Sequence, residues 1–389
     1  MTPHIALVFK KFDADGGAER MAATLLGVCY EAGFRLTVIA RDVPEGARDR
    51  WPDVEFIVCN PRYSGRTARV LGFAQAVQQR LAGLDVDLVF SQEPMIGCDI
   101  YRAGGGVYAE MRAQRGRYQS APARLYGRAQ RYHRKRLALE SQLYASERLR
   151  AVVCNSAMVR DDIRRHYAVG DTELTVIENS IDIAAYAPDE RARQSGLACR
   201  QRYEIPAHAM LLLFVGSGFE RKGLAAAIRA LAASRGQARL LVVGRDKSRR
   251  RYARLAQRCG VGDRVHFAGA QDDVRPFYWA ADALIHPAEY EAFGLVVLEA
   301  MAAGLPVIAS HTCGAALSLV EPGVNGFVAS AADYRAQAAA INQLAATDER
   351  DGMQQAALRA AATHDLPVLR SQIERLVARL VAERASSPR

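Results

Sequence analysis

Two glutamates with seven residues between them, Glu291 and Glu299, stand in the stretch HPAEYEAFGLVVLEAMAAGLP at 286–306. Each carboxylate can accept hydrogen bonds from ligand hydroxyls. Between them Ala292, Phe293, Gly294 and Leu295 lead from a polar loop into an apolar helical pattern. The first N–H groups of such a helix lack intrahelical partners and carry partial positive charge, which suits a phosphate or sugar diphosphate. A second stretch, GSGFERKG at 216–223, offers Arg221 and Lys222 to neutralise a diphosphate, with Ser217 after its first glycine and Gly223 leaving room for close approach. A third is Gly16-Gly17, where missing side chains open the backbone to a ligand; a tight turn would use the same pair. Asp13 with Asp15, and Asp85 with Asp87, have the DxD form of metal–diphosphate sites, a pattern short enough to arise by chance, and no metal is expected.

These residues need elements to hold them. IALVF (5–9), LTVIA (36–40), FIVC (56–59), DLVFS (87–91), AVVCNS (151–156) and TVIENSID (175–182) read as buried strands with helical patterns between most of them. LLLFVGS (211–217), LLVVG (240–244), RVHFAG (264–269), ALIHP (283–287), VIAS (307–310) and GFVA (326–329) repeat the rhythm. The fold class is therefore α/β with two Rossmann-like domains facing across a cleft, and ligands are expected beyond the carboxyl ends of the strands. The expected boundaries are 1–182 and 183–365, with a C-terminal helix at about 366–389 packing back on the first domain. The polar stretch 183–208 is expected to be the connection. Gly244-Arg245-Asp246 also ends a strand, but the basic run after it, Lys247 to Arg258, reads as a solvated helix face.

The chain has 389 residues, and half are hydrophobic, enough for two cores. No run approaches the roughly 18–20 apolar residues of a membrane span. The seven cysteines are scattered without a CxxC pair, which fits buried thiols in a reducing, cytoplasmic setting. Net charge is 52 − 42 = +10, so an anionic partner is expected. Arg112, Arg115, Arg117, Arg124, Arg128, Arg131, Arg134, Lys135 and Arg136 fall in one segment without an acid, interleaved with Tyr118, Tyr126 and Tyr132. Without that segment residues 1–180 carry 17 basic and 21 acidic side chains, or −4. Basic residues with interfacial tyrosines suit an anionic membrane surface, at about 1 kcal/mol per cation. Nucleic acid would be drawn to the same patch.

VGSGFERKG, GAQDDVRPFYWAADALIHPA and EAFGLVVLEAMAAGLPV together resemble the retaining glycosyltransferases of family 4, with the GT-B fold, over nearly the whole chain. The resemblance implies that Glu291 binds donor-sugar hydroxyls and Glu299 the nucleotide ribose. Phe293-Gly294-Leu295 would meet sugar and phosphates, and Lys222 would hold the diphosphate. Many members carry arginine where Ser217 stands here, so the second positive charge is expected from Arg221. Within the family the order of features is similar to the glucosyltransferases of the lipopolysaccharide core, which act on heptose. PMIGCDIYRAGGGVYAEM (94–111) is similar to their acceptor-side segment and puts Asp99, Gly104, Gly105 and Tyr108 there. That group carries aspartate at about Gly105, so this chain departs at an acceptor position.

The resemblance implies transfer of a hexose from a nucleotide sugar, UDP-glucose or similar, to a lipid-linked saccharide with retained configuration. It calls for no cofactor or metal, since Lys222, Arg221 and helix N–H groups would stabilise the departing diphosphate. The expected location is peripheral, at the inner face of the cytoplasmic membrane, with no nucleic-acid partner. A GT-B-type epimerase or phosphorylase would need the same donor site without the basic segment. A nucleic-acid-binding protein would explain the charge but leave both glycine loops and the glutamate pair without purpose.

Overall fold

The computed structural model describes residues 2–12, 17–63, 65–117, 130–346 and 350–386. The chain forms two compact units, Met1–Asn179 with Leu366–Arg389, and Ser180–Asp365.

The first unit is built on β1 (His4–Val8), β2 (Arg35–Ala40), β3 (Glu55–Val58), β4 (Leu88–Ser91), β5 (Ile100–Arg102), β6 (Ala151–Cys154) and β7 (Glu173–Val176). They form one parallel sheet in the order β3-β2-β1-β4-β5-β6-β7. The strands are nearly continuous apolar runs because such a sheet is covered on both faces. On one face Ile5, Leu7, Val38 and Phe90 pack with helix Gly17–Glu31 and with helix Leu366–Ser386, which brings Leu369, Ile373, Leu376, Val377 and Leu380. That spacing of three and four lays the apolar side chains along one helical face. Each such buried side chain contributes roughly 1.5–3 kcal/mol. β5 was not among the strands expected from the sequence. Its three residues end in an arginine and give no periodic signal, yet Ile100 pairs with both Phe90 and Ala151.

The second unit contains β8 (Leu211–Val215), β9 (Arg239–Val243), β10 (Val265–Gly269), β11 (Ala283–His286), β12 (Val307–Ser310) and β13 (Gly326–Ala329). They lie parallel in the order β10-β9-β8-β11-β12-β13. Both sheets reverse their strand order beside the unit's first strand, between β1 and β4 and between β8 and β11. Such a reversal opens a crevice at the carboxyl ends of the strands.

The expected connection at 183–208 is instead part of the second unit. It holds a short 3-10 turn, Ala184–Tyr186, and helix Glu190–Arg202. The Asp189 side chain caps that helix by accepting the Ala192 N–H at 2.7 Å. Ala192, Gly196 and Cys199 form its buried stripe. A Cβ on Gly196 would lie 2.4 Å from the Trp279 carbonyl oxygen, so glycine sets how closely the helix packs. Arg200 Nη1 donates to the Ala280 carbonyl at 2.8 Å. The polar composition that suggested a linker belongs to this helix's solvent face.

All seven cysteines are unpaired, six buried and Cys259 half-buried. Among the described residues no helix is long and apolar enough to cross a membrane, and no cluster of three metal-ligating side chains occurs.

Candidate functional site

At the crevice of the second sheet, the loops after β8 and β11 lock together. The Glu289 N–H donates to the Arg221 carbonyl at 2.9 Å. Gly223 has φ 80° and opens helix Leu224–Ala233; a Cβ there would lie 1.9 Å from the Pro287 carbonyl oxygen. Only glycine tolerates both that backbone conformation and that approach. The locked loops deliver Lys222 and Arg221 to one carboxylate oxygen. Lys222 Nζ donates to Glu291 Oε2 at 2.5 Å and Arg221 Nη1 to the same atom at 2.7 Å. Arg221 Nη1 also reaches the Tyr290 carbonyl at 3.3 Å.

The Glu291 loop is itself held by backbone bonds. Its N–H donates to Thr312 O at 2.9 Å, its carbonyl accepts from Gly314 N at 3.0 Å, and Ala315 N donates to Phe293 O at 2.7 Å. Gly294 then starts helix Leu295–Ala302 with φ 97°, and no side chain caps that helix. Burial alone would raise the Glu291 carboxyl, but Lys222 and then Arg221 outweigh it and hold the pKa at about 2. The Lys222 side chain is 11 % exposed and that of Arg221 48 %. The buried Lys222–Glu291 pair is therefore the costly one to break, since removing one partner of a buried pair costs about 3–5 kcal/mol. The exposed Arg221 contact contributes much less. Two cations on one carboxylate leave the trio with one net positive charge, suited to an incoming anion.

Around the trio the other expected residues separate. Ser217 is exposed, and its hydroxyl accepts the Arg245 N–H at 3.2 Å. Asp246 holds the same loop by accepting Phe219 N–H at 2.8 Å. The run after it, as expected, is a helix, Arg249–Arg258, with its arginines exposed. Glu299 is fully buried in helix Leu295–Ala302, and its Oε2 accepts the Tyr278 hydroxyl at 2.6 Å. His286, the last residue of β11, had no assigned role. Its ring is fully buried, and neither nitrogen has a hydrogen-bond partner among the described residues. Burial first, then Lys222, pushes its pKa down to about 3, so it stays neutral beside the trio. Its place at the carboxyl end of a central strand was the available signal.

In the first unit Gly17 opens helix Gly17–Glu31, while Gly16, Asp13 and Asp15 lie outside the described residues. Gly104 and Gly105 follow β5 and Tyr108 begins helix Tyr108–Arg117, all beyond the carboxyl end of the sheet. Asp99 does not join them. It precedes β5, at the opposite end of the strand, and its Oδ2 accepts Val89 N–H at 2.8 Å and Arg148 Nη2 at 3.3 Å. That carboxylate ties two strands together. A residue without an assigned role, the buried Glu140, accepts Tyr108 N–H at 3.1 Å and the Tyr167 hydroxyl at 2.7 Å. It thereby caps the helix that carries Tyr108, and burial raises its pKa.

The basic segment also divides. Arg115, Arg131, Arg134 and Lys135 are exposed. Arg112 and Arg136 are not fully displayed to solvent: both are half-buried, with the Arg136 guanidinium 5.4 Å from the Tyr108 ring centroid. Arg124, Arg128, Tyr118 and Tyr126 lie outside the described residues, as does the side chain of Arg117.

Two doubly wound parallel sheets, the second with a cation–carboxylate trio at its crevice, define a GT-B glycosyltransferase architecture. Residues 15–185 match the family "Glycosyltransferase Family 4" and residues 198–361 match "Glycosyl transferases group 1". The chain is 30% identical over 318 residues to the lipopolysaccharide glucosyltransferase WaaG of Escherichia coli K12, covering 80% of this chain and 81% of that protein. A crystal structure of WaaG superposes with a TM-score of 0.79 and 26% identity, covering 96% of this chain and 99% of that one. The lipopolysaccharide core biosynthesis glycosyltransferase LpsE of Rhizobium meliloti is 35% identical over 147 residues, 38% of this chain and 43% of that protein. The chain belongs to the GT-B glycosyltransferases of the group 1/family 4 type and is a nucleotide-sugar-dependent glycosyltransferase.

Proposed function

We propose that the enzyme transfers a hexose from UDP-glucose or a similar nucleotide sugar, with retained configuration, to a lipid-linked saccharide, the heptose of a lipopolysaccharide core. The observation that carries this reading is the Lys222–Glu291–Arg221 trio at the crevice of the second sheet. On donor binding the diphosphate replaces Glu291 as the partner of the two cations. The freed carboxylate then accepts hydrogen bonds from the donor sugar, Glu299 serves the ribose, and the Gly294–Leu295 backbone meets the phosphates. Charge developing on the departing diphosphate is stabilised by Lys222, Arg221 and helix N–H groups already in place. One such preorganised donor is worth about 10²–10³ in rate. The acceptor hydroxyl attacks from the face the diphosphate leaves, and the leaving phosphate takes its proton. These cations make a metal ion unnecessary.

The similarity to WaaG and LpsE supports the core saccharide as acceptor. The exposed Arg115, Arg131, Arg134 and Lys135 support docking on an anionic surface, and with a lipid-linked acceptor that surface is the cytoplasmic face of the membrane rather than nucleic acid. The test is an incubation of the full chain with UDP-, GDP- and ADP-sugars and isolated core saccharide, with and without a chelator. The expected result is one preferred donor and chelator-resistant transfer. Donor isomerisation or phosphorolysis without transfer to any acceptor would instead favour the epimerase or phosphorylase. Membrane docking is tested by co-sedimentation: binding to anionic vesicles is expected to exceed binding to neutral ones and to fall on Arg131→Ala with Arg134→Ala. Equal binding to both vesicle types would refute it.

A further inference from the structure

Arg102 ends β5 and is 2 % exposed, buried among the strands it helps to pair. Among the described residues its hydrogen-bond partner is a neutral amide: Nη2 donates to Asn179 Oδ1 at 2.5 Å. No carboxylate there pairs with it, and burial alone lowers its pKa, to about 10. A guanidinium has five N–H donors, so most of its capacity is unused. Asn155 stands directly after β6, the neighbouring strand, and is 1 % exposed. Its Nδ2 donates to the Gly104 carbonyl at 3.0 Å, which fixes the orientation of the amide, and its Oδ1 has no partner among the described residues. Gly104 connects the two groups: a Cβ there would sit 3.0 Å from Arg102 Nη1.

Three adjacent strands, β5, β6 and β7, thus bring together a charged donor, a buried acceptor without a partner among the described residues and a bracing amide at their carboxyl ends. A buried cation without a carboxylate partner is costly, and a bound anion would offset that cost. A guanidinium fork fits a carboxylate or phosphate with two parallel bonds, and a lone amide oxygen fits a hydroxyl. We propose that Arg102, Asn155 and the Gly104 backbone form a subsite for a hydroxylated anion, a sugar bearing a carboxylate or phosphate. The assignment of this sugar to the acceptor rests on the proposed function. The binding chemistry does not.

The experiment is thermal unfolding of the full chain at constant ionic strength with glucose 6-phosphate, glucuronate, glucose or UDP-glucose. It uses the wild type, Arg102→Met and Arg102→Lys. In the wild type, at least one of the two sugar anions is expected to raise the Tm, and glucose is not. Arg102→Met is expected to lose that shift while melting no lower than the wild type without ligand, because it removes an unpaired buried charge. Arg102→Lys keeps part of the shift. A shift with glucose 6-phosphate alone identifies a phosphorylated sugar, and one with glucuronate alone a sugar acid. Either sustains the subsite. Equal shifts with glucose, no shift with either anion, or an anion shift that survives Arg102→Met would overturn it. A large fall in the Tm of ligand-free Arg102→Met would make the arginine structural and overturn it as well. The UDP-glucose shift should be the same in all three proteins. Its absence from the wild type would count against the donor reading and leave the anion result standing.

Discussion

Lys222 in the second unit and Arg102 in the first occupy matching positions in the chemistry of their sheets and are treated in opposite ways. Each is a buried cation on the carboxyl side of a parallel sheet, Arg102 as the last residue of β5 and Lys222 in the loop after β8. Lys222 shares the Glu291 carboxylate with Arg221, whereas among the described residues Arg102 has only an amide oxygen. The first arrangement is compensated: an anionic ligand must exchange places with Glu291, and the charge is always covered. The second is uncompensated, and the strand register rather than a counter-ion keeps the cation in place. Charge removal should therefore harm the first site and spare the stability of the second.

The largest effect is expected at Lys222. Lys222→Ala should lower kcat by about 10²–10³, equivalent to about 2.7–4 kcal/mol of transition-state stabilisation. Its Tm should fall, because one partner of the buried Lys222–Glu291 pair is lost, while its far-UV circular dichroism at 25 °C should match the wild type. Turnover is measured with saturating donor and acceptor. A variant working near the wild-type rate would remove Lys222 from the chemistry and make the paired site the structural one.

How much of this contrast could be read from the chain follows from where each signal lies. Glu291, Glu299, Lys222 and Gly223 sit in short stretches whose residue types, glycines and strand–loop–helix pattern are local. The six strands of the second unit are apolar runs and were legible for the same reason. Arg102 gave no comparable sign, since its meaning depends on Asn179, 77 residues away, and on Asn155, directly after another strand. β5 was too short to show a period. Helix Glu190–Arg202 was hidden because its buried stripe is alanine, glycine and cysteine, residues that do not announce a core. His286 read as a strand terminus, because burial on every side is a tertiary fact.

The next effect concerns that histidine and tests whether the paired site is as dry as its geometry implies. His286 has a folded pKa near 3 against an ordinary value of 6.5. Below pH 6.5 the unfolded chain takes up a proton that the folded ring refuses. The stability is thus present above 6.5 and is lost as pH falls toward 3, at roughly 1.4 kcal/mol per pH unit. Between pH 6.5 and 4.5 the loss is about 2–3 kcal/mol. Glu291, held near 2 against 4.5, adds its own loss only below pH 4.5. His266 is also lowered by burial and acts in the same direction, but it does so equally in a His286→Leu protein. Urea denaturation at the two pH values should therefore show a shallower pH dependence in His286→Leu. Identical slopes would mean that water reaches the ring, and the contrast between a dry paired site and a bare one would weaken.

The smallest effect is expected at Gly105, where this chain departs from the aspartate of the lipopolysaccharide-core group. Gly105 is exposed, a Cβ there meets nothing within 4 Å, and its backbone is not in the left-handed region. Gly105→Asp should therefore change stability by less than about 0.5 kcal/mol. Its carboxylate would stand one residue from Gly104, whose Cβ position lies 3.0 Å from Arg102 Nη1, and is expected to compete with a sugar anion for that guanidinium. With its carboxylate on the exposed residue 105, such a contact is worth about 0.2–1 kcal/mol, so the affinity for the sugar anion should fall by at most about fivefold. The measurement is the concentration of glucose 6-phosphate or glucuronate needed for half the Tm shift, in Gly105→Asp against the wild type. A weakened shift would place residue 105 at the rim of the Arg102 subsite and tie the glycine to the chain's choice of acceptor. An unchanged midpoint would separate the two, leaving the glycine as a matter of loop shape and Arg102 with no carboxylate to replace.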